Sequence, residues 1–438
     1  MKIAKLRKRI CIPLVSVFLF IAFLLWYFIP RSLSGEVKDQ MAMIAQVHST
    51  PSKAFVYLIG MQAPDNVDPM TYGQQQLPQY VASSQYDGSE ANPPAQPRMS
   101  HPLAGTPFDC SLFKEAACLE SFFSEQASRQ TALAQSTELL HRYITYQSFG
   151  DLHQVYAMNV GSFMPDFGVL VGGQKVFFLQ QIEAIESHKI SAQAMQKSVL
   201  DDLDHWRSEL TYADTLIHKM VVVTLVRNDL FMLAKMYSKY ALHVPPLPAL
   251  TVQERSFKLV NAAENEALYR ILPTIQKSTC EPNQLTTCVR GRVQFPMVYD
   301  FNDSVNMDVR AKTQVTQLAE LPLDQAYLHK DDLPKKPSFG HWLRNFSGTI
   351  LIQAGQGDYK SYIYRVDDLN LQIALLNATV NQQAGSFDPA WLKSILNPYG
   401  TDAGHAYINA SGWLCLPTPL KERASTHPFD GCIPWKAV

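Results

Sequence analysis

The sequence predicts a mainly α protein: one N-terminal transmembrane helix, then an α-helical periplasmic domain with a small disulfide-tied C-terminal β-hairpin. Three observations lead there. From Ile10 to Pro30 no side chain is charged. Apolar residues then recur three and four apart over long stretches between 107 and 278, the spacing of buried helix faces. Beyond the first helix, the cysteines fall into three local couples.

The uncharged run can cross a hydrocarbon core of about 30 Å, since about 20 residues rise 1.5 Å each. A cleavable leader carries a shorter apolar run, about 7 to 15 residues, ending at a small-x-small site. Here the run ends in Trp26, Tyr27, Pro30 and Arg31, which favours a retained anchor, although Ser32 and Ser34 before Gly35 resemble a cleavage site. Lys2, Lys5, Arg7, Lys8 and Arg9 precede the span, whereas Glu36 and Asp39 offset Arg31 and Lys38 after it. Basic residues stay on the cytoplasmic side, so the N-terminus is expected there and the bulk of the chain across an inner membrane, in the periplasm. The nearest rival span, "MVVVTLVRNDLFMLA" from Met220 to Ala234, carries Arg227 and Asp229 and reads as a buried soluble helix.

Seven cysteines divide unevenly, with Cys11 inside the span. An oxidising compartment favours pairing of the rest. Cys110 with Cys118, Cys280 with Cys288, and Cys415 with Cys432 is the most economical of the 15 pairings six cysteines allow. The 38 basic and 39 acidic residues leave no strong field, which argues against nucleic acid as a partner.

Along the chain the expected organisation is a cytoplasmic tail over 1–9, the anchor over 10–30 and a juxtamembrane segment over 31–70. A Gln/Pro/Ser-rich loop or linker over 71–106, a helical periplasmic core over 107–278 and a C-terminal helical part with the hairpin over 279–438 follow. Residues Glu36 to Val47 continue the anchor as a short amphipathic helix, and Ser111 to Tyr146 read as one long helix or two joined ones. Gly172-Gly173 is expected to turn the chain. From there to Leu242 two or three helices end at Pro245, Pro246 and Pro248. "TVQE" at Thr251 is a capping box for a helix ending near Pro273. Tyr359, Ile363, Val366, Ile373, Leu376 and Val380 mark one face of another helix, Asp388-Pro389 opens the next, and alternation around "NASG" gives the hairpin.

Signals for chemistry are sparse. No G-x-S-x-G elbow, P-loop or H-E-x-x-H occurs, and "GQGDYK" at Gly355 lacks the third glycine of a dinucleotide loop. "SLFK" at Ser111 matches the S-x-x-K of serine acyltransferases without the motifs that accompany it. A polar cluster is the remaining candidate: Asp201 with His205, and Asp214 with His218, are spaced i, i+4 and share helix faces. Such a pair can hold a divalent ion, but an acidic solvated face or a buried ion pair explains it as well, so no catalytic, cofactor-binding or metal residue is assigned. Sequons at Asn302, Asn345, Asn377 and Asn409 raise the alternative of a type II secretory-pathway glycosyltransferase, with "DLD" at Asp202 to Asp204 as the formal candidate for its metal-holding acidic pair.

Six segments, "SKAFVYLIGMQAPDNVDPMTYG", "ADTLIHKM", "DFNDSVNM", "NFSGTILI", "DYKSYIYRVDDLNLQ" and "LNPYG", resemble in their order a family of uncharacterised Gram-negative inner-membrane-anchored envelope proteins. The chain departs from that pattern where Phe346-Ser347 follow the asparagine in place of proline and an aliphatic residue. The resemblance implies a bacterial envelope location and transfers no site. The expected function is therefore binding of another envelope or exported protein, in the manner of an assembly factor or membrane-tethered chaperone. An envelope hydrolase or transferase with a non-local motif is the alternative.

Overall fold

The computed structural model describes residues 17–22, 26, 29, 31–50, 52–84, 99, 102–112, 114–150, 152–158, 161–242, 245–278, 299–329, 337–355, 359–380, 389–419 and 431–435. It is mainly helical with a small C-terminal antiparallel sheet. The chain divides into a first unit, 1–40 with 268–311 and 335–357, and a second, 41–267 with 312–334 and 358–438. Among the described residues no helix is long and apolar enough to cross a membrane. Of the expected span over 10–30, only 17–22, 26 and 29 are described, 17–22 as helix.

In chain order the helices are α1 (Gly35–Ser49), α2 (Lys53–Gly60), α3 (Pro69–Ser83), α4 (Ala116–Ser124), α5 (Gln126–Gln135), α6 (Thr137–Tyr146), α7 (Gly168–Glu186), α8 (Ala192–Tyr212) and α9 (Leu216–Tyr240). After them come α10 (Val252–Arg255), α11 (Lys258–Ser278), α12 (Phe301–Glu320), α13 (Leu323–Leu328), α14 (Phe339–Arg344), α15 (Phe346–Gly355), α16 (Tyr359–Val380) and α17 (Pro389–Ser394). Strands β1 (Tyr407–Ile408), β2 (Trp413–Cys415) and β3 (Cys432–Pro434) close the chain.

The core of the second unit forms around α9. Thr215 caps its start by accepting from the His218 N–H at 3.2 Å, and Ala241 ends it in the left-handed region at φ 50°. Between Val222 and Met236 nearly every side chain is buried, because α9 is covered by α8, by α16 and by β3. Arg227 and Asp229 inside the apolar run thus do mark a buried helix. The face expected on α16 is buried too, from Tyr359 through Ile363, Val366 and Ile373 to Leu376.

Several local expectations are corrected. The Gln-rich stretch after residue 71 is not loop as far as Ser83: it is α3, capped by Asp68, which accepts from the Thr71 N–H at 2.8 Å, with Pro69 at its start. What holds α3 is backbone proximity to α2. A Cβ on Gly60 would lie 1.8 Å from the Pro69 carbonyl oxygen, and one on Gly73 1.9 Å from that of Val56. Arg142 clamps the connection, donating to the carbonyls of Met61, Ala63, Pro64 and Val67 at 2.5–3.3 Å.

Gly172-Gly173 likewise makes no turn but lies within α7, where a Cβ on Gly173 would be 2.6 Å from the Tyr143 ring. Gly173 is there for close packing of α7 on α6. Residues 116 to 146 form three helices, broken at Glu125 and Ser136. The capping box at Thr251 and Glu254 is present but opens only the short α10, and α11 runs past Pro273 to Ser278. Asp388 lies outside the described residues, whereas Pro389 does open α17.

The C-terminal sheet has the order β1-β2-β3, both pairs antiparallel. Asn409 builds the first turn by accepting from the Ser411 and Trp413 N–H groups at 3.0 Å, and Gly412 adopts φ 75° there. Cys415 faces Cys432 across β2 and β3 and is bonded to it; Cys110 and Cys118 form a second disulfide. Cys280 and Cys288 lie outside the described residues. The sheet docks on the core through Trp413, edge-on to Phe231 of α9 at 4.9 Å.

Candidate functional site

Of the polar cluster singled out by spacing, the structure brings Asp214 and His218 together and leaves Asp201 and His205 apart. Asp201 is exposed and pairs one turn back with Lys197 at 2.6 Å, a surface ion pair of little energetic consequence. His205 lies edge-on to Trp206 at 4.7 Å, and burial alone pushes its imidazole down to about 4, so it is neutral at pH 7. "DLD" is parted as well. Asp202 points into the core and Asp204 into solvent, so the two cannot share a metal. Ser111 turns its hydroxyl inward while Lys114 is exposed, which separates the S-x-x-K pair.

Asp214 and His218 belong to a row of acids and imidazoles, each member under 10 % exposed: Glu266, His48, Asp214, His218, Glu209. Five segments supply it: α11, α1, the loop before α9, α9 itself and α8. His48 Nδ1 is 3.1 Å from Glu266 and its Nε2 3.6 Å from Asp214. His218 lies 3.8 Å from Asp214 and 3.9 Å from Glu209, under the stacked ring of Phe167. Two backbone N–H groups complete the row, Gln154 donating to Asp214 at 2.6 Å and Leu152 to Glu209 at 3.2 Å.

Burial opposes charge on His48, but the close approach and charge of Asp214, with the hydrogen bond to and charge of Glu266, outweigh it and raise the imidazole to about 9. Asp214 answers in the opposite sense: burial pushes its carboxyl up, while His218, His48 and the Gln154 N–H hold it down at about 2. At neutral pH a charged His48 therefore sits between two carboxylates. Such an arrangement holds elements in register, because breaking one partner leaves a buried charge uncompensated.

A second polar network lies between α6, α7, α8 and α9. Asp202 accepts from the Tyr143 hydroxyl at 2.7 Å, from Gln174 at 3.0 Å and from Gln147, and Trp206 donates to the Tyr143 oxygen at 2.9 Å. Burial, with the Asp202 charge beside it, pushes Asp229 well above the carboxylate range, so Asp229 carries the proton of the pair. Lys219 is buried, donates to the carbonyls of Glu254 at 2.8 Å and of Leu210, and is brought down by burial to about 7. Nearby, Arg207 grips Glu254 through two bonds, at 2.6 and 3.1 Å. Arg255 reaches Asp367 at 3.4 Å, and burial raises that carboxyl to about 7.

The first unit has its own polar centre at the start of α12, and it grips the chain just beyond the expected span. Arg31 binds Asp303 at 2.6 Å through its guanidinium and Asp300 at 3.2 Å through its N–H. Asn302 donates to the Arg31 carbonyl at 2.6 Å; Asn306 donates to that of Ser32 at 2.9 Å and accepts from the Ser34 N–H at 2.8 Å. His341 and Arg344 approach the same acids at 3.0 and 3.3 Å. Asn345 closes the centre from behind, accepting from the Asp300 N–H at 2.8 Å and donating to Ser304 at 2.9 Å.

Among the described residues, no group of three or more His, Cys, Asp or Glu side chains is arranged to hold a metal ion. His48, Glu266 and Asp229 were missed by spacing, since their partners lie 27 or more residues along the chain, and Glu209 because its partner His218, nine residues on, sits on the next helix. The one local signal was a charge inside an apolar run, as at Asp229. Comparison with known protein families, curated proteins and solved structures finds no match to this chain.

Proposed function

We propose that the chain is a single-pass inner-membrane protein, N-terminus in the cytoplasm and bulk in the periplasm, whose helical body binds another envelope or exported protein. The job is that of an assembly factor or membrane-tethered chaperone. One observation carries the reading: the clasp of Asp300, Asn302, Asp303 and Asn306 on Arg31, Ser32 and Ser34. Cleavage at Ser34 would strip the clasp and take from Asp303 its arginine, leaving it His341 and Asn345, which supports a chain whose N-terminal segment remains attached. The disulfides Cys110–Cys118 and Cys415–Cys432 support an oxidising compartment.

The acids and imidazoles of the row, Glu266, His48, Asp214, His218 and Glu209, are engaged in ties between chain elements, which favours a binding body over a catalytic one. Leu328 and Leu396, 68 % and 77 % exposed, lie close in sequence to Tyr327 and Tyr399, whose rings are 6.0 Å apart in the second unit, and are the proposed apolar foothold for the partner. Against the glycosyltransferase alternative, Asn345 is fully buried and Asn377 is bonded through both side-chain atoms to Leu247.

Cross-linking in intact membranes followed by affinity recovery of the full chain tests this. The same envelope protein should be recovered repeatedly, and Leu328→Asp with Leu396→Asp should reduce its yield several-fold. Repeated recovery of no protein partner contradicts the proposal.

A further inference from the structure

In the first unit, α14 and α15 turn apolar side chains outward. Phe339 is 80 % exposed, and Leu343, one turn on, is exposed with it; Phe346, Ile350 and Leu351 continue the stripe on α15. Trp342 and Phe346, 5.7 Å apart, join the two helices across Asn345. The opposite side is the buried one, carrying Arg344, Asn345, Thr349 and Ile352. Facing water, two successive helices with apolar outer faces and polar inner ones invert the normal arrangement of a soluble body.

Where the stripe lies decides what covers it. Gly340 and Arg344 of α14 sit against Trp26: a Cβ on Gly340 would be 4.0 Å from the indole, and the Arg344 guanidinium is 5.6 Å from the ring centre. Arg344 also donates to the Ile29 carbonyl. Trp26 and Ile29 are themselves exposed. Two exposed apolar residues of the N-terminal segment, Trp26 and Ile29, thus adjoin α14 at Gly340 and Arg344. An aromatic residue ending a span marks the headgroup level, and a helix with an apolar outer face at that level lies in the interface.

We propose that α14 and α15 form an interfacial foot, seating Phe339, Leu343, Phe346 and Ile350 in the periplasmic leaflet of the bilayer that the N-terminal segment crosses. The proposal rests on the reading of 10–30 as a retained span. The foot fixes the first unit at the membrane surface.

Full-length protein is reconstituted in vesicles containing acyl-brominated lipid, with a fluorescent amino acid at position 19, 343, 350 or 396 in turn. Positions 19, 343 and 350 should be quenched several-fold more than 396. Quenching at 19 with 343 and 350 no stronger than 396 overturns the foot and spares the span. No quenching at 19 refutes the span itself, and the foot with it. Protection of 343 and 350 from aqueous iodide without quenching by the lipid assigns the stripe to a protein surface, such as a second copy, and also overturns the foot.

Discussion

Replacing His48 with glutamine removes the positive charge held between Asp214 and Glu266. Raising the imidazole from 6.5 to about 9 means that the folded chain favours protonated His48 by about 3 kcal/mol, at about 1.4 kcal/mol per pH unit. Because the folded value is the higher one, that stabilisation is complete below about pH 6.5 and disappears as pH rises through 9. Asp214, held at about 2, keeps its contribution throughout this window and loses it only as pH falls below about 4. Lys219, brought down to about 7, works against His48: stability it costs at neutral pH is recovered as pH rises toward 10.5. That opposing slope is common to both proteins and cancels in their difference. The assay is urea denaturation of wild type and His48→Gln, full chain in mild detergent, at pH 6 and pH 9.5. The stability gap should shrink by about 3 kcal/mol between the two. A gap that stays constant would refute the charged-row account.

Further substitutions test the core, all by the same denaturation measurement. Gly173→Ala drives a methyl into the Tyr143 ring and should cost about 1–3 kcal/mol, whereas Gly35→Ala, with nothing within 4 Å, should cost little. Asp229→Asn, replacing a carboxyl that is already neutral, should cost less than about 1 kcal/mol. Asp202→Asn turns an acceptor of three hydrogen bonds partly into a donor and should cost about 1–3 kcal/mol; equal costs at the two positions would contradict the assignment of the proton to Asp229. Cys415→Ser with Cys432→Ser should cost about 2–4 kcal/mol more under oxidising conditions than under reducing ones, where only the burial of the two hydroxyls counts.

What the sequence disclosed was mostly what is local. The turn at Asn409, the capping box at Thr251, the helix after Gly35 and the pairing of neighbouring cysteines each depend on residues within about twenty positions of one another. The α3 helix and the Gly172-Gly173 segment were misread because glycine and glutamine suggest loop. There the deciding force is contact with a distant element, Val56 and Pro69 in one case and Tyr143 in the other. The i, i+4 spacing treated Asp201–His205 and Asp214–His218 alike. Only burial separates them, and burial is set by α1 and α11, whose His48 and Glu266 lie 166 and 52 residues from Asp214. The Arg31 clasp was illegible for the same reason, its acids lying about 270 residues downstream.

Whether the N-terminal segment is kept is the question on which the tethered-body account turns, and the intact mass of the chain extracted from membranes under non-reducing conditions answers it. The account predicts a mass that includes residues 1–34. A mature chain beginning at or after Gly35 would contradict it, whatever partner is found.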